Sequence, residues 1–278
     1  QYPWLERQKK VLDEIVVQQE ILLRFDVAID GVFIPGDLIT AAVGLDLPET
    51  GDFTINPNKR GITPGAFIPR VKIAALDVAT TGKNLSVLGC RQGSSVLWFK
   101  DWKNNDPTQL AYKVLEVYES LGEYEKWHKL VIDADGVGSG TLSTLAAMPD
   151  LPFEIIAFRG GAKASELYWE GEEKHSYEKF YNARAESWGI VKWRLKNTFD
   201  KIYGIKDCEP EQMISIPEIP VLQSQLSAPK YKYTNDRRIL LESKEDMAKR
   251  GVGSPDYADC LAYLFAEFDS VNTDWLEV

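Results

Sequence analysis

Two short apolar runs in this chain each end in an aspartate: Val71-Lys-Ile-Ala-Ala-Leu-Asp77 and Lys129-Leu-Val-Ile-Asp133. Runs of this length and composition read as buried strands. A carboxylate at the last position of such a strand is held by a fixed backbone while its side chain points off the sheet. Two of them demand a sheet with an acidic end. Asp256 and Asp259 open a helical segment, and a spacing of three puts both on one face. Four converging carboxylates suit a hard divalent cation, which takes oxygen ligands, keeps several waters and needs few protein carboxylates when a substrate phosphate completes its shell. Where two such ions lie roughly 3.5–4 Å apart, one activates a water and the other stabilises the leaving oxygen of a phosphodiester. Taken singly, each acid has a simpler role. Asp256 and Asp259 suit a helix N-terminus by about 0.3–1 kcal/mol without any metal, and Asp77, Asp133 or Asp135 can end a strand or cap the next helix.

The order of elements narrows the architecture. Strand-like runs at Val71–Val78, Leu85–Arg91 and Ser95–Trp102 follow one another through short connections, which implies an antiparallel meander. Asp106-Pro107 offers an N-cap and a proline at the first helical position, with a stripe at Leu110, Val114, Leu115, Val117 and Tyr118. A strand at Lys129–Asp133, a turn Asp133-Ala-Asp-Gly-Val-Gly-Ser-Gly140, a helix through Ala147 and a strand at Phe153–Phe158 follow. The expectation is a mixed sheet with helices on its faces. Aromatic and apolar positions from Tyr177 to Leu195 predict one helix over Ser176–Phe199, and these aromatics read as core. Lys230–Thr234 and Arg238–Glu242 flank a hairpin turn at Asn235-Asp236-Arg237. Ser254 is expected to cap, with Pro255 opening, a last helix that runs to about Phe268.

Before Val71 the composition differs. Residues 4–25 have apolar positions compatible with one or two amphipathic helices, and Gly31–Arg70 is punctuated by proline and glycine every few residues. That stretch reads as an extended connector with a short helix near Asp37–Val43. A division into residues 1–69 and 70–278 is expected.

Several function classes drop out on composition. The 278 residues are 44% hydrophobic and 27% charged, ordinary for a globular protein, and no apolar run approaches the roughly 18 residues that span a bilayer. A soluble protein is expected. The chain begins at Gln1 with no basic region before an apolar stretch, so a processed or excised fragment is expected rather than a secretory precursor. Cys90, Cys208 and Cys260 are odd in number and scattered, which argues against a disulfide framework or a zinc ribbon and for a reducing compartment. His128 and His175 lack ligand spacing. No nucleotide-binding glycine loop of either standard pattern occurs, and the glycines after Asp133 read as a tight exit from the strand. The net charge of -10 counts against a strong electrostatic hold on nucleic acid. Basic residues do cluster at Lys192, Arg194 and Lys196, at Lys230 and Lys232, at Arg237 and Arg238, and at Lys244, Lys249 and Arg250.

Five motifs in order carry a family resemblance: Ala75-Leu-Asp77-Val-Ala-Thr-Thr-Gly82, Val131-Ile-Asp133-Ala-Asp-Gly-Val-Gly-Ser-Gly140, Tyr181-Asn-Ala-Arg-Ala-Glu-Ser-Trp188, Leu241-Glu-Ser-Lys-Glu-Asp-Met-Ala-Lys-Arg250 and Ser254-Pro-Asp-Tyr-Ala-Asp-Cys-Leu-Ala262. Over roughly residues 70–268 the chain resembles the nuclease domain of tailed-bacteriophage terminase large subunits. The resemblance implies an α/β, RNase H-like mixed sheet: an antiparallel meander, then parallel strands, flanked by helices. It implies an endonuclease that cleaves concatemeric viral DNA during genome packaging, with little sequence preference and two Mg2+ or Mn2+ ions. Asp77 matches the ligand of the first strand, Asp133 that of the fourth, and Asp256 or Asp259 the helix ligand. Asp135 is an extra carboxylate beside the site. Asn182, Arg184 and Lys244 match recurrent positions that order the site or touch DNA.

Residues 1 to about 60 then look like the tail of the family's packaging ATPase, whose phosphate loops this chain lacks. The implied partners are double-stranded DNA, the terminase small subunit, the portal and the ATPase region, in the host cytoplasm. Two other readings compete. Asp77-Val-Ala-Thr-Thr-Gly82 is similar to the phosphate hairpin of actin-like and sugar kinases, which would make the chain a phosphotransferase. Alternatively the carboxylates only cap helices and turns, in a non-catalytic DNA-docking or assembly module.

Overall fold

The parity of the first strand decides what lies on either side of the sheet. The computed structural model describes residues 31–47, 71–79, 84–103, 106–169 and 172–266. Within them, β1 (Lys72–Asp77), β2 (Leu85–Gln92), β3 (Ser95–Lys103), β4 (Lys129–Asp133) and β5 (Glu154–Phe158) form one sheet in the order β3-β2-β1-β4-β5. The pairs β1–β2 and β2–β3 are antiparallel, whereas β1–β4 and β4–β5 are parallel. The meander followed by parallel strands is therefore as expected.

The helices are α1 (Gly36–Ala42), α2 (Pro107–Ser120), α3 (Gly138–Ala146), α4 (Ser176–Lys179), α5 (Ala183–Ile202), α6 (Pro220–Leu226), α7 (Lys244–Lys249) and α8 (Asp256–Leu264). Successive side chains of a strand face opposite ways. Ala74, Leu76, Leu88, Leu130 and Ile132 accordingly join Leu110, Val114 and Leu145 of α2 and α3 in one apolar cluster. Ala75, Val87 and Val131 join α1, α5, α6 and α8 in the other. Asp77 and Asp133 share the parity of Ala75 and Val131, so both point to the α8 face.

Local chemistry explains the best-read elements. Asp106 caps α2, its carboxylate accepting from Thr108 N at 2.9 Å and Gln109 N at 3.2 Å, with Pro107 at the first helical position. The small hairpin of β8 (Tyr231–Tyr233) and β9 (Ile239–Leu241) forms where it is expected, and Arg237 takes a positive φ of 63° in its turn. Part of the stretch read as a connector is built into the core. Phe33, Ile34, Leu38, Ile39 and Ala42 are buried with α5 and α6, and Gly44 N donates to Ile216 O at 2.9 Å. The helices expected within residues 4–25, the remainder of the connector at 48–70 and Thr80–Gly82 of the kinase-like hairpin lie outside the described residues.

Two expected helices differ. Instead of one helix over Ser176–Phe199, the chain forms α4, breaks at Phe180–Asn182 and restarts as α5. Asn182 is the reason: extended at φ −147°, it caps α5 through Ala185 N at 2.9 Å. Phe180 pairs with Ile239 beside β9 and drives its ring into the notch left by Gly189. Ser254 does not cap the last helix. Helix α8 begins at Asp256, with Pro255 O accepting from Asp259 N at 2.7 Å. Beyond the large sheet, β6 (Tyr168–Trp169) pairs with β7 (Lys174–His175).

A Cβ at Gly189 would sit 2.2 Å from Phe180 Cζ. Helix propensity alone would favour Gly189→Ala by about 1 kcal/mol. The buried Phe180 ring has no room to retreat, so overpacking outweighs that gain and the variant is expected to lose about 1–3 kcal/mol in denaturant unfolding; a gain in stability would refute the packing argument.

Candidate metal and active site

Parallel pairing brings the two strand-end acids side by side. Leu76 stands opposite Ile132 in the register of β1 and β4, and Asp77 and Asp133 follow one residue later, on strands about 4.8 Å apart. The chain leaves β4 by a turn in which Asp133 Oδ1 accepts from Asp135 N at 3.0 Å. Gly136 has φ +56°, and a Cβ on Gly138 would stand 1.8 Å from Asp133 O, so the exit requires glycine at both positions.

The other two acids come from α8, every residue of which is buried. A carboxylate buried without partners costs several kcal/mol, and the site shows which partners it has. Asp259 Oδ1 accepts from Trp188 Nε1 at 2.8 Å and Arg184 Nε at 3.1 Å, both from α5. Asp259 Oδ2 faces Lys244 Nζ at 3.1 Å, and the same ammonium stands 3.6 Å from Asp77 Oδ2. Asp256 Oδ2 accepts from Leu85 N at 2.7 Å. Arg184 also donates to Glu242 O at 3.0 Å, tying the end of β9 to the cluster. Lys244 reaches in from the rim on α7, its side chain 35% exposed.

Four carboxylates thus meet two cations, and the imbalance shows in their protonation. Burial pushes the Asp77 carboxyl up to about 8, Lys244 offsetting part of this and Asp259 and Asp133 adding to it. Asp133 and Asp256 are also raised by burial, eased by the amides of Asp135 and Leu85. Burial would raise Asp259 too, but Arg184 and Lys244 outweigh it and hold that carboxyl below its ordinary range. For Lys244 burial works downward, and Asp77 and Asp259 overcome it, so the ammonium keeps its proton far above the ordinary lysine range.

The donor set fits a hard divalent ion. Asp77 Oδ1 and Asp256 Oδ1 are buried oxygens with no hydrogen-bond donor, as is Asp259 Oδ2, which has only the Lys244 ammonium beside it, and a hard cation is one partner that suits such atoms. The fit is an open one. Among the described residues no three His, Cys, Asp or Glu side chains are grouped tightly enough to cage an ion, and the Lys244 ammonium fills the gap between Asp77 and Asp259. An ion that keeps waters and takes a substrate oxygen needs no closed cage.

Asp77, Asp133, Asp256, Asp259, Arg184 and Lys244 are therefore brought together. Asn182 stands outside the cluster and acts by capping the helix that carries Arg184. Asp135 turns away, its Oδ2 accepting from Gly161 N at 3.0 Å. His128 Nδ1 accepts from Lys72 N at 3.1 Å, and His175 precedes α4. Sequence reasoning assigned Trp188 to the core and missed its bond to Asp259. The signal was available, since Arg184 and Trp188 are four apart and share a helix face.

No protein-family model and no curated protein sequence matches the chain. Solved structures do. A point variant of the nuclease domain of the large terminase subunit gp2 of bacterial virus Sf6, with manganese and beta-thujaplicinol, is similar with a TM-score of 0.69 and 19% identity over 86% of this chain and 100% of that one. The nuclease domain without that variation matches with a TM-score of 0.66 at 19% identity, covering 86% of this chain and 100% of that one. A variant domain from the same phage with calcium matches at 0.65 and 19% identity, over 84% of this chain and 98% of that one. The fold is that of these terminase nuclease domains, and the expected RNase H-like mixed sheet is borne out.

An acid whose folded pKa lies above its unfolded value costs stability once pH exceeds the unfolded value, and the cost grows until the folded pKa is reached. For Asp77 that window runs from 3.8 to about 8. Asp77→Asn is therefore expected to raise the melting temperature of metal-free protein at pH 7–8, roughly 2–4 °C for each kcal/mol relieved, with the gain vanishing near pH 4. A lower melting temperature at pH 7–8 would mean that the pairing of Asp77 with Lys244 outweighs its burial.

Proposed function

We propose that this chain is a metal-dependent DNA endonuclease of the terminase type, cleaving concatemeric viral DNA during packaging with little sequence preference. One observation carries the reading: two strand-end acids and two acids of a buried helix converge, with bare acceptors at Asp77 Oδ1 and Asp256 Oδ1. The likeness to terminase nuclease domains supports it. In this reading Asp77 would serve both of two Mg2+ or Mn2+ ions, Asp133 would hold one, and Asp256 and Asp259 would hold the other. Divalent ions, when bound, would supply a water of lowered pKa and charge stabilisation at the scissile phosphate.

The chain's own residues do the rest. Arg184 and Trp188 fix the Asp259 carboxylate in one orientation, and Leu85 N does the same for Asp256. Gly138 lets Asp133 stand at the strand end without obstruction. The Lys244 ammonium, on the exposed side of the cluster, is placed to meet an incoming phosphate oxygen while it balances Asp77 and Asp259. Residues 70–278, together with the stretch 33–44 that packs into their core, would form the nuclease domain, which moves the expected boundary at 69/70 toward the start of the chain, and the residues before that stretch would be the tail of a packaging ATPase region. Double-stranded DNA, the small subunit and the portal would be the partners, in the host cytoplasm. The acidic balance of the chain suits an enzyme to which the rest of a motor delivers DNA.

Supercoiled plasmid incubated with Mg2+, Mn2+ or EDTA tests this reading. Cutting is expected with metal alone, and Asp77→Asn or Asp133→Asn should each reduce it by more than roughly a hundredfold with the fold retained. A folded, fully active Asp77→Asn protein would sink the assignment. No cutting with either metal, together with metal binding that ignores both acids, would favour the docking-module reading.

A further inference from the structure

A five-residue loop, Arg159-Gly-Gly-Ala-Lys163, follows β5 and edges the acidic end of the sheet. Its backbone is pinned on every side. Gly161 N donates to Asp135 Oδ2 at 3.0 Å, Arg184 N to Gly160 O at 3.0 Å, and Ala183 N to Ala162 O at 2.9 Å. Ala162 N closes the turn on Arg159 O at 3.0 Å. Just beyond, Ser165 N donates to Glu186 Oε2 at 2.8 Å, and the Ser165 hydroxyl donates to the other oxygen of that buried carboxylate. The loop lies against the site itself: a Cβ on Gly160 would be 3.3 Å from Arg184 Cβ and 3.6 Å from Asp135 Oδ2.

This rigid backbone displays two exposed cations, Arg159 and Lys163. Among the described residues neither is in an ion pair, whereas cations closer to the acids are committed. Arg184 is on Asp259, Lys244 on Asp77 and Asp259, Arg238 on Asp236 and Arg250 on Glu242. Lys163 Nζ rests 4.4 Å from the centre of the Tyr177 ring, which stacks on His175 at 5.4 Å and 9°. A cation held over a ring is oriented while its N–H donors stay available. A polyanion approaching four carboxylates is repelled there, and uncommitted positive charge on a stiff loop is what can hold its backbone in place.

We propose that Arg159 and Lys163 grip backbone phosphates of duplex DNA beside the acidic cluster, and that Asp135 is a positioning residue which holds their loop. This rests on the nuclease reading and extends it to how substrate is seated. Asp135 then serves the site by fixing the loop through Gly161 N.

The whole chain tests it by fluorescence anisotropy of a labelled duplex in EDTA over a range of salt, beside cleavage kinetics in Mn2+. Arg159→Ala with Lys163→Ala should lower the slope of log affinity against log salt by about 2 and raise KM, leaving kcat at saturating DNA little changed. Lys201→Ala with Lys206→Ala, an equal loss of charge near the other end of the 20-residue α5, should change neither. Asp135→Ala removes a negative charge, which simple electrostatics would translate into tighter binding; weaker binding is expected instead. Asp135→Asn, which keeps an acceptor for Gly161 N, should restore it. A double loop variant with the slope and KM of the control pair overturns the proposal, as does an Asp135→Ala protein that binds more tightly. Should the wild type bind with loop-dependent salt sensitivity yet never cut, the nuclease reading falls and the loop contact stands.

Discussion

The burial of Asp259 is the constraint around which the molecule is arranged. Helix α8 is enclosed along its whole length, and a carboxylate in that setting is costly unless charged or polar groups face it. Trp188 and Arg184 supply them on one side and Lys244 on the other. Each of these partners needs its own support: α5 must begin at Asn182 for Arg184 and Trp188 to face the site, and the β8–β9 hairpin must return the chain so that α7 sets Lys244 at the rim. Much of the chain beyond residue 180 can be understood as the frame that makes one charged side chain admissible in the core.

Balance in the cluster is incomplete, and this separates it from a structural ion network. Two cations cannot neutralise four carboxylates, and burial leaves Asp77 strained toward protonation. A network selected for stability alone would be better served by apolar residues of similar volume. Bare acceptors at Asp77 Oδ1 and Asp256 Oδ1 are where positive charge is missing. In the metal-site reading an added cation would offset this imbalance, and its binding would then be coupled to the fold.

The sheet was legible because its signals are local. Apolar runs marked all five strands, and parity put Asp77 and Asp133 on one face once pairing was granted. Asp106-Pro107 marked its helix just as directly. The break at Phe180–Asn182 was hidden, because Tyr177, Phe180 and Tyr181 continue the helical stripe and the contact that fixes the break, Phe180 against Ile239, spans about sixty residues of sequence. The partners of Asp259 were hidden for the same reason. Motif order singled out Lys244 and Arg184 by resemblance, while their distances from Asp259 and Asp77 depend on how hairpin, α7 and α5 return to the sheet. Asp135 shows the limit of reading acids by proximity: two positions from Asp133, it faces a different element.

The enclosure of α8 also fixes where control can enter. Two of the acids ride on a helix with no exposed face, and the other two end strands in the middle of the sheet. Elements enclosed in this way are the kind that open last. If the chain is the nuclease proposed above, control would enter most readily at the margin, on the six-residue α7 with Lys244 and on the Arg159–Lys163 turn, by admitting or withholding the strand rather than by reshaping the acids.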